Sequence, residues 1–179
     1  KTFISSSVVL ATLMGLLGGC RHEVKPVDIS FDSIKIERSE HLVPDDTLSP
    51  SCMLSIDLKY AAPDDSVTQR INEAIVRMAF EYEGVAPRAA ADSFATAYVK
   101  RYHQELMPYY MEEQQKGEVG AWYNYVYELT TSLVSAQDSV WGYRFERVTY
   151  EGGAHGNHTI NYVNFDKATG QQIALDDVF

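Results

Sequence analysis

From Leu54 to Tyr60 apolar and polar residues alternate without a break, Leu54, Ile56, Leu58 and Tyr60 falling on one side and Ser55, Asp57 and Lys59 on the other. That is the period of a strand with one buried and one wet face. Ile29, Phe31, Ile34 and Ile36 predict an earlier strand with a change of phase near Ser33. The segment between them, Leu42 to Pro50, is rich in turn formers (Pro44-Asp45-Asp46, Ser49-Pro50), so an antiparallel pair is the simplest arrangement. The spacing then becomes helical. Ser66 is placed to cap a helix, with Gln69 three residues on, and Val67, Ile71, Ala74, Ile75, Met78 and Ala79 form its apolar stripe up to Gly84. Pro87 opens a second helix with the stripe Ala91, Phe94, Ala95, Tyr98, Val99, Tyr102 and Leu106. Pro108 is expected to break or kink it, because its ring clashes with the carbonyl four residues back. Tyr109 to Lys116 adds a further helical segment before Gly117.

Past Gly120 the period returns to two. Tyr123, Tyr125, Tyr127, Leu129, Thr131 and Leu133 share one face of a long strand, Gln137-Asp138-Ser139 makes the turn, and Trp141, Tyr143 and Phe145 lead the strand back. Thr159 to Phe165 forms a third strand, Asp166 to Gly170 a tight turn, and Gln172 to Leu175 a fourth strand. The pattern predicts an α+β fold, an antiparallel β-sheet with two main helices packed on one face. The division expected is residues 28–118 for the part with two strands and two helices, and 119–179 for a β-rich part.

The 12 tyrosines change this picture at one place, since three of them alternate in Tyr123, Tyr125 and Tyr127. A tyrosine stripe suits protein or sugar recognition, because each ring offers rigid area with a polar tip. It suits equally a sheet face covered by the helices. A register slip of one residue decides whether the stripe shares a face with Trp141 and Tyr143 or with Val148 and Tyr150.

The N-terminal end carries different information. Phe3 to Leu17 is almost unbroken apolar sequence after a single charge, Lys1, and is short of the ~20 residues that span a bilayer. It ends in Leu17-Gly18-Gly19-Cys20, which resembles the lipobox of bacterial lipoproteins. The resemblance implies a signal peptide over 1–19, a diacylglycerol thioether on Cys20 and a tether over 20–27, with the folded part held to a membrane outside the cytoplasm. An ordinary cleaved signal peptide with an incidental cysteine is the plainer alternative. Arg21 stands where aspartate favours inner-membrane retention in enteric bacteria, which points to the outer membrane of a Gram-negative cell. The net charge of −10 argues against nucleic acid as a partner and favours a basic one. Cys52, in the apolar run Cys52-Met53-Leu54, is expected to be a buried small hydrophobe.

Catalytic motifs are absent from the sequence: there is no Gly-x-Ser-x-Gly elbow, His-Glu-x-x-His, Cys-x-x-Cys or phosphate loop. The segment that stands out is Tyr150 to His158, with Glu151, Gly152, Gly153, Ala154, His155, Gly156 and Asn157 between them. His155 and His158 with Glu151 could ligate a metal, but a closed site needs further ligands from elsewhere. The expectation is a strand connection with no metal and no cofactor. Gly152, Gly153 and Gly156 supply unusual backbone angles and His155 bonds to the turn, which leaves Glu151, Asn157 and His158 as outward contacts.

The ordered series Ser139-Val140-Trp141 to Tyr150, Gly152-Gly153-Ala154-His155-Gly156, Asn164-Phe165-Asp166, Thr169-Gly170 and Leu175-Asp176-Asp177-Val178-Phe179 resembles the C-terminal extracellular domain of RsiV-like proteins. That family includes anti-sigma factors whose outer domain binds lysozyme. The resemblance implies a non-catalytic, lipid-anchored module of the cell envelope that recognises a protein, lysozyme-like, or a cell-wall glycan. The candidate contacts are Glu151, Asn157, His158, Tyr123, Tyr125 and Tyr127. Two other readings are a cell-wall or glycan hydrolase or esterase using His155 with an acid, and a structural subunit of an outer-membrane complex. A lipobox in place of the anti-sigma factor's membrane helix and cytoplasmic segment means that this chain holds no sigma factor itself. The family's domain continues beyond the position of Phe179, so the β-rich part is expected to be the start of a longer one, with Asp176 or Asp177 capping a helix.

Overall fold

A computed structural model of the protein describes residues 29–62, 65–117, 119–137 and 139–174. Cys20 with the leader and tether, and the helix start expected at Asp176 or Asp177, lie outside the described residues. The elements in chain order are β1 (Ser30–His41), β2 (Ser51–Ala62), α1 (Ser66–Phe80), α2 (Pro87–Lys116), a single 3-10 turn (Ala121–Tyr123), β3 (Tyr125–Gln137), β4 (Val140–Glu151), β5 (Asn157–Asp166) and β6 (Gln172–Ile173). The six strands form one sheet in the order β1-β2-β3-β4-β5-β6, so the expected α+β class holds.

One pairing departs from an all-antiparallel sheet. β2 and β3 run parallel, from Cys52 opposite Tyr125 to Asp57 opposite Thr130. Parallel neighbours cannot be joined by a hairpin, and the connection between them carries both helices across one face of the sheet. A boundary at 118/119 therefore lies inside a continuous sheet. Beyond the parallel ladder Thr131 substitutes for its next rung: its Oγ1 accepts from the Lys59 amide at 2.7 Å and donates to the Asp57 carbonyl at 3.2 Å.

The inner face of the sheet is apolar where the helices cover it, and turns polar toward Arg147, Thr149 and Glu151 at the end of β4. Ile34 and Ile36, Leu54, Ile56 and Leu58, Tyr125, Tyr127 and Leu129, Tyr143 and Phe145, and Val163 and Phe165 are all buried. Ile71 and Ile75 of α1 and Ala91, Ala95, Tyr98 and Tyr102 of α2 pack down onto them. Thr131 pairs with Phe145 and Leu133 with Tyr143, which puts the tyrosine stripe on the face of Tyr143. The register shifts between Leu133 and Ser135, so the strand ends beyond it fall out of phase.

Both helix ends of α1 differ from the expected positions. Asp65, one residue ahead of Ser66, is the N-cap; its carboxylate accepts from the amides of Val67 at 2.8 Å and Thr68 at 2.9 Å. The Asp65 amide in turn donates to Thr68 Oγ1 at 2.8 Å, so the reciprocal box is Asp65–Thr68, not Ser66–Gln69. A carboxylate bonds two end amides at once and answers the positive end of the helix, which a serine hydroxyl does less well. At the other end the helix stops at Phe80, with Glu81 in the left-handed region, before Gly84 is reached.

Pro87 opens α2 as expected, and Gly117 closes it, but Pro108 does not break it: the helix is continuous from Pro87 to Lys116. A proline inside a helix costs about 3 kcal/mol, and tertiary packing must offset it. Here Tyr102 is buried on one side of Pro108 and Tyr110 on the other, the latter edge-on to Tyr123 at 5.5 Å. Tyr123 is itself in the 3-10 turn, ahead of the strand in which its alternation placed it.

The cap assignment gives a paired test. Asp65→Ala should lower the melting temperature clearly, whereas Ser66→Ala should leave it nearly unchanged. The amides of Thr68 and Val67 hold the Asp65 carboxyl below its usual range. The cap's contribution is therefore complete above the unfolded pKa of about 4 and is lost as pH falls through the depressed folded value. Thermal melts from pH 7 down to pH 2 should show native and Asp65→Ala proteins converging at the acid end.

Candidate functional site

The connection between β4 and β5 is short, and its glycines do two different jobs. Gly152 and Gly153 have φ of 80° and 92°, the left-handed conformation that turns the chain. Gly156 has no such angle, but a Cβ there would stand 2.8 Å from the Thr149 carbonyl oxygen, so it permits close approach. Gly152 does both, since its Cβ would sit 3.1 Å from the carbonyl oxygen of Trp122. The Tyr150 hydroxyl donates to the Gly153 carbonyl at 3.1 Å, and His155, exposed, has Nδ1 3.1 Å from the Gly156 carbonyl.

The expected contact residues separate into three groups. Glu151 does not point freely outward: its carboxylate is bound to the Arg101 guanidinium of α2 at 2.7 Å, which pins the root of the loop to the helix. Asn157 and His158 belong to β5 rather than to the loop, and both are exposed. His158 Nε2 lies 2.8 Å from Glu146 Oε1, and Arg144 holds the other oxygen at 2.7 Å. The hydrogen bond from Arg144, followed by that from His158, keeps the Glu146 carboxyl below the usual range. The third group is corrected outright. Tyr123, Tyr125 and Tyr127 are buried beneath α2, Tyr127 with its ring centroid 4.8 Å from Phe94 and 5.1 Å from Tyr98, Tyr125 at 5.2 Å from Tyr102. The stripe is a sheet face covered by the helices and is closed to a partner.

What is exposed is β5 itself. Every residue from Asn157 to Tyr162 is exposed, including Ile160 and Tyr162, whose neighbours across β4 are Glu146 and Arg144. β6 pairs only with Asn164 and Phe165, so among the described residues the outer edge of β5 before them has no partner strand.

A cleft of about 500 Å³ opens between the end of α1, the middle of α2 and strands β3 and β4. Phe80, Tyr82 and Phe94 wall it, Tyr98 and Tyr127 lie deeper, and Arg101, Arg147 and Glu151 supply charge. Arg147 Nη2 donates to the Ala79 and Met78 carbonyls at 2.9 and 3.3 Å, closing the last turn of α1. The hydroxyls of Tyr98 and Tyr127 and Nε of Arg147 are buried without a hydrogen-bond partner. The Tyr98 hydroxyl interacts with the Glu151 carboxylate and the Tyr127 hydroxyl with the Arg147 guanidinium, neither in full hydrogen-bond geometry, and burial is the main reason that both phenols titrate above their ordinary range. Cys52 is buried close by, its thiol pushed up to about 12 by burial. Nothing local in the sequence marks this cleft, because four separate elements and the α1–α2 connection build it. Among the described residues no three His, Cys, Asp or Glu side chains converge as metal ligands do.

No family model matches the chain, and no curated protein does. Solved structures do. A member of the DUF3298 family from Bacteroides fragilis superposes with a TM-score of 0.79 at 28% identity, covering 85% of this chain and 61% of its own. A DUF3298 family protein from Pseudomonas aeruginosa PAO1 gives 0.54 at 12% identity, covering 85% and 58%, a likeness of fold alone. The chain spans about three fifths of the length of these relatives.

The two left-handed glycines should respond unequally. Gly153→Ala meets no atom within 4 Å and should cost only the conformational penalty, about 1–2 kcal/mol. Gly152→Ala adds a contact with the Trp122 carbonyl and should cost more. Urea unfolding of the two variants checks the order; equal losses would mean that the loop does not rest on the Trp122 turn.

Proposed function

We propose that the protein is a lipid-anchored, non-catalytic binding module of the cell envelope, and that it meets its partner through the open β4–β5 surface. The partner is a protein, lysozyme-like, or a cell-wall glycan. The observation that carries the reading is the exposure of β5 from Asn157 to Tyr162 beside the Arg144–Glu146–His158 chain of charges. This is a strand presenting aromatic, amide and charged groups on a rigid sheet, with an edge that has no partner strand among the described residues and would accept a partner backbone.

Three further points support it. The structural neighbours are DUF3298 family proteins, and the Gly-Gly-Ala-His, Asn-Phe-Asp and Thr-Gly series resembles the RsiV-like outer domain. The acidic chain favours a basic partner. A hydrolase using His155 would need a carboxylate or a hydroxyl nucleophile beside that ring, whereas the group facing it is the Gly156 carbonyl. Anchoring follows from Leu17-Gly18-Gly19-Cys20, and placement at the outer membrane from Arg21. Glu151, tied to Arg101, holds the surface in place, His158 and Tyr162 make contacts from one face of β5, and Asn157 contributes from the other side of the strand.

Purified lysozyme and purified peptidoglycan are the two probes. Saturable binding to one of them is expected, weakened about tenfold (about 1.4 kcal/mol) by His158→Ala or Tyr162→Ala, with melting temperatures within a few degrees of native. Cys20→Ala should move the protein from the membrane to the soluble fraction. Absence of binding to both probes, or binding indifferent to β5, would overturn the reading.

A further inference from the structure

We propose that the cleft between α1, α2 and strands β3 and β4 is a binding site for a small carboxylate carried on a ring. This inference is separate from the partner surface on β5; the two share only the Arg101–Glu151 pair, and their tests are independent. Three facts about the cleft lead to it.

Its size and lining come first. About 500 Å³ lies within the range of ~300–1,000 Å³ typical of small-molecule sites, which are mostly apolar with a few fixed polar groups. Phe80 and Phe94, with centroids 5.1 Å apart, and Tyr82 beside them form a wall suited to a ring.

The second fact is the set of groups left over. Native interiors satisfy nearly all of their buried polar atoms. Here two buried phenol hydroxyls, of Tyr98 and Tyr127, and the Nε of Arg147 make no hydrogen bond of good geometry, although Tyr98 faces Glu151 and Tyr127 faces Arg147, and all three residues line the same cleft. Tyr98 and Tyr127 are each only 4% exposed. Each of the three groups can donate a hydrogen bond. Arg147 Nε can only donate and the phenols can do so, so a ligand that completes the set brings at least one acceptor.

The third fact is charge. Of the two guanidiniums in the cleft, Arg101 is engaged by Glu151 at 2.7 Å and reaches Glu105 at 4.0 Å. Arg147 has no carboxylate within 4.0 Å among the described residues; its terminal nitrogen is fixed on the carbonyls of α1, which leaves Nε free to donate. Glu81 also lines the cleft, and an ammonium ligand would have to use it. The Arg147 Nε, however, is a donor only, and a carboxylate takes charge-assisted bonds from a guanidinium and accepts from the phenols while its ring lies on the aromatic wall. An acceptor without charge would leave the Arg147 charge unanswered.

The test uses the protein with phenylacetate and cyclohexanecarboxylate, each against its matched amide, and with benzylamine. Binding is followed by ligand-observed NMR and by the rise in melting temperature. The acids should bind at least tenfold more tightly than the amides, and benzylamine should not compete with them. Tyr98→Phe/Tyr127→Phe keeps both rings and removes two hydroxyls that make no hydrogen bond of good geometry, so it should melt no lower than the native protein while binding the acids at least tenfold more weakly. Amides that bind as well as the acids, tighter binding of benzylamine, no saturable binding of either acid, or a double variant with native affinity would each overturn the assignment. Tyr162→Ala, which removes a β5 contact, should leave acid binding unchanged.

Discussion

The parallel pairing of β2 with β3 is the constraint on which the rest of the structure depends. A hairpin cannot join parallel neighbours, so the chain leaves the sheet after Ala62, crosses one face through α1 and α2, and re-enters at Tyr125. That crossing decides which face becomes core. The inner residues of β2, Leu54, Ile56 and Leu58, and of β3, Tyr125, Tyr127 and Leu129, are covered together because the same two helices lie over both. Among the described residues the opposite face carries no helix, and its side chains are exposed or half-buried; α2, fixed by Tyr98 and Tyr102, becomes the support to which the β4–β5 connection is tied through Arg101 and Glu151.

Much of this was legible in the residues. The alternation from Leu54 to Tyr60 and from Tyr125 to Thr131, the stripe from Val67 to Ala79 and the proline at the start of α2 all correspond to elements of the observed type. The misses have specific causes. Asp65 and Ser66 are both good caps, and the reciprocal partner, Thr68, together with the carboxylate's charge separates them. Pro108 lies in a helix because Tyr102 and Tyr110 are anchored on either side of it, a tertiary effect that overrides the local penalty. Parallel pairing was not legible at all. Periodicity describes a strand's faces and is silent on the direction of its neighbour.

The functional surface shows the same division. That Gly152 and Gly153 turn the chain follows from composition, and their φ angles are of the expected kind. Glu151 could be placed beside the turn, but its bond to Arg101 joins residues far apart in sequence. The cleft is further still from the sequence: its donors come from Tyr98, Tyr127 and Arg147, on three different elements, and no spacing links them. Tyrosine illustrates the ambiguity best. A stripe of rings that looks like a recognition surface and one that fills a core obey the same period, and coverage by a helix tells them apart.

That coverage is open to direct measurement. Nitration of the folded protein with tetranitromethane, read out residue by residue by mass spectrometry, reports which phenols reach solvent as phenolate. Tyr109 and Tyr162, 65% and 63% exposed, should be modified readily. Tyr125 and Tyr127, covered by α2 and with phenols raised mainly by burial, should stay unmodified until the protein is unfolded. Nitration of Tyr125 or Tyr127 in the native protein at the rate of Tyr162 would contradict the account, because the face on which α2 rests would then be open.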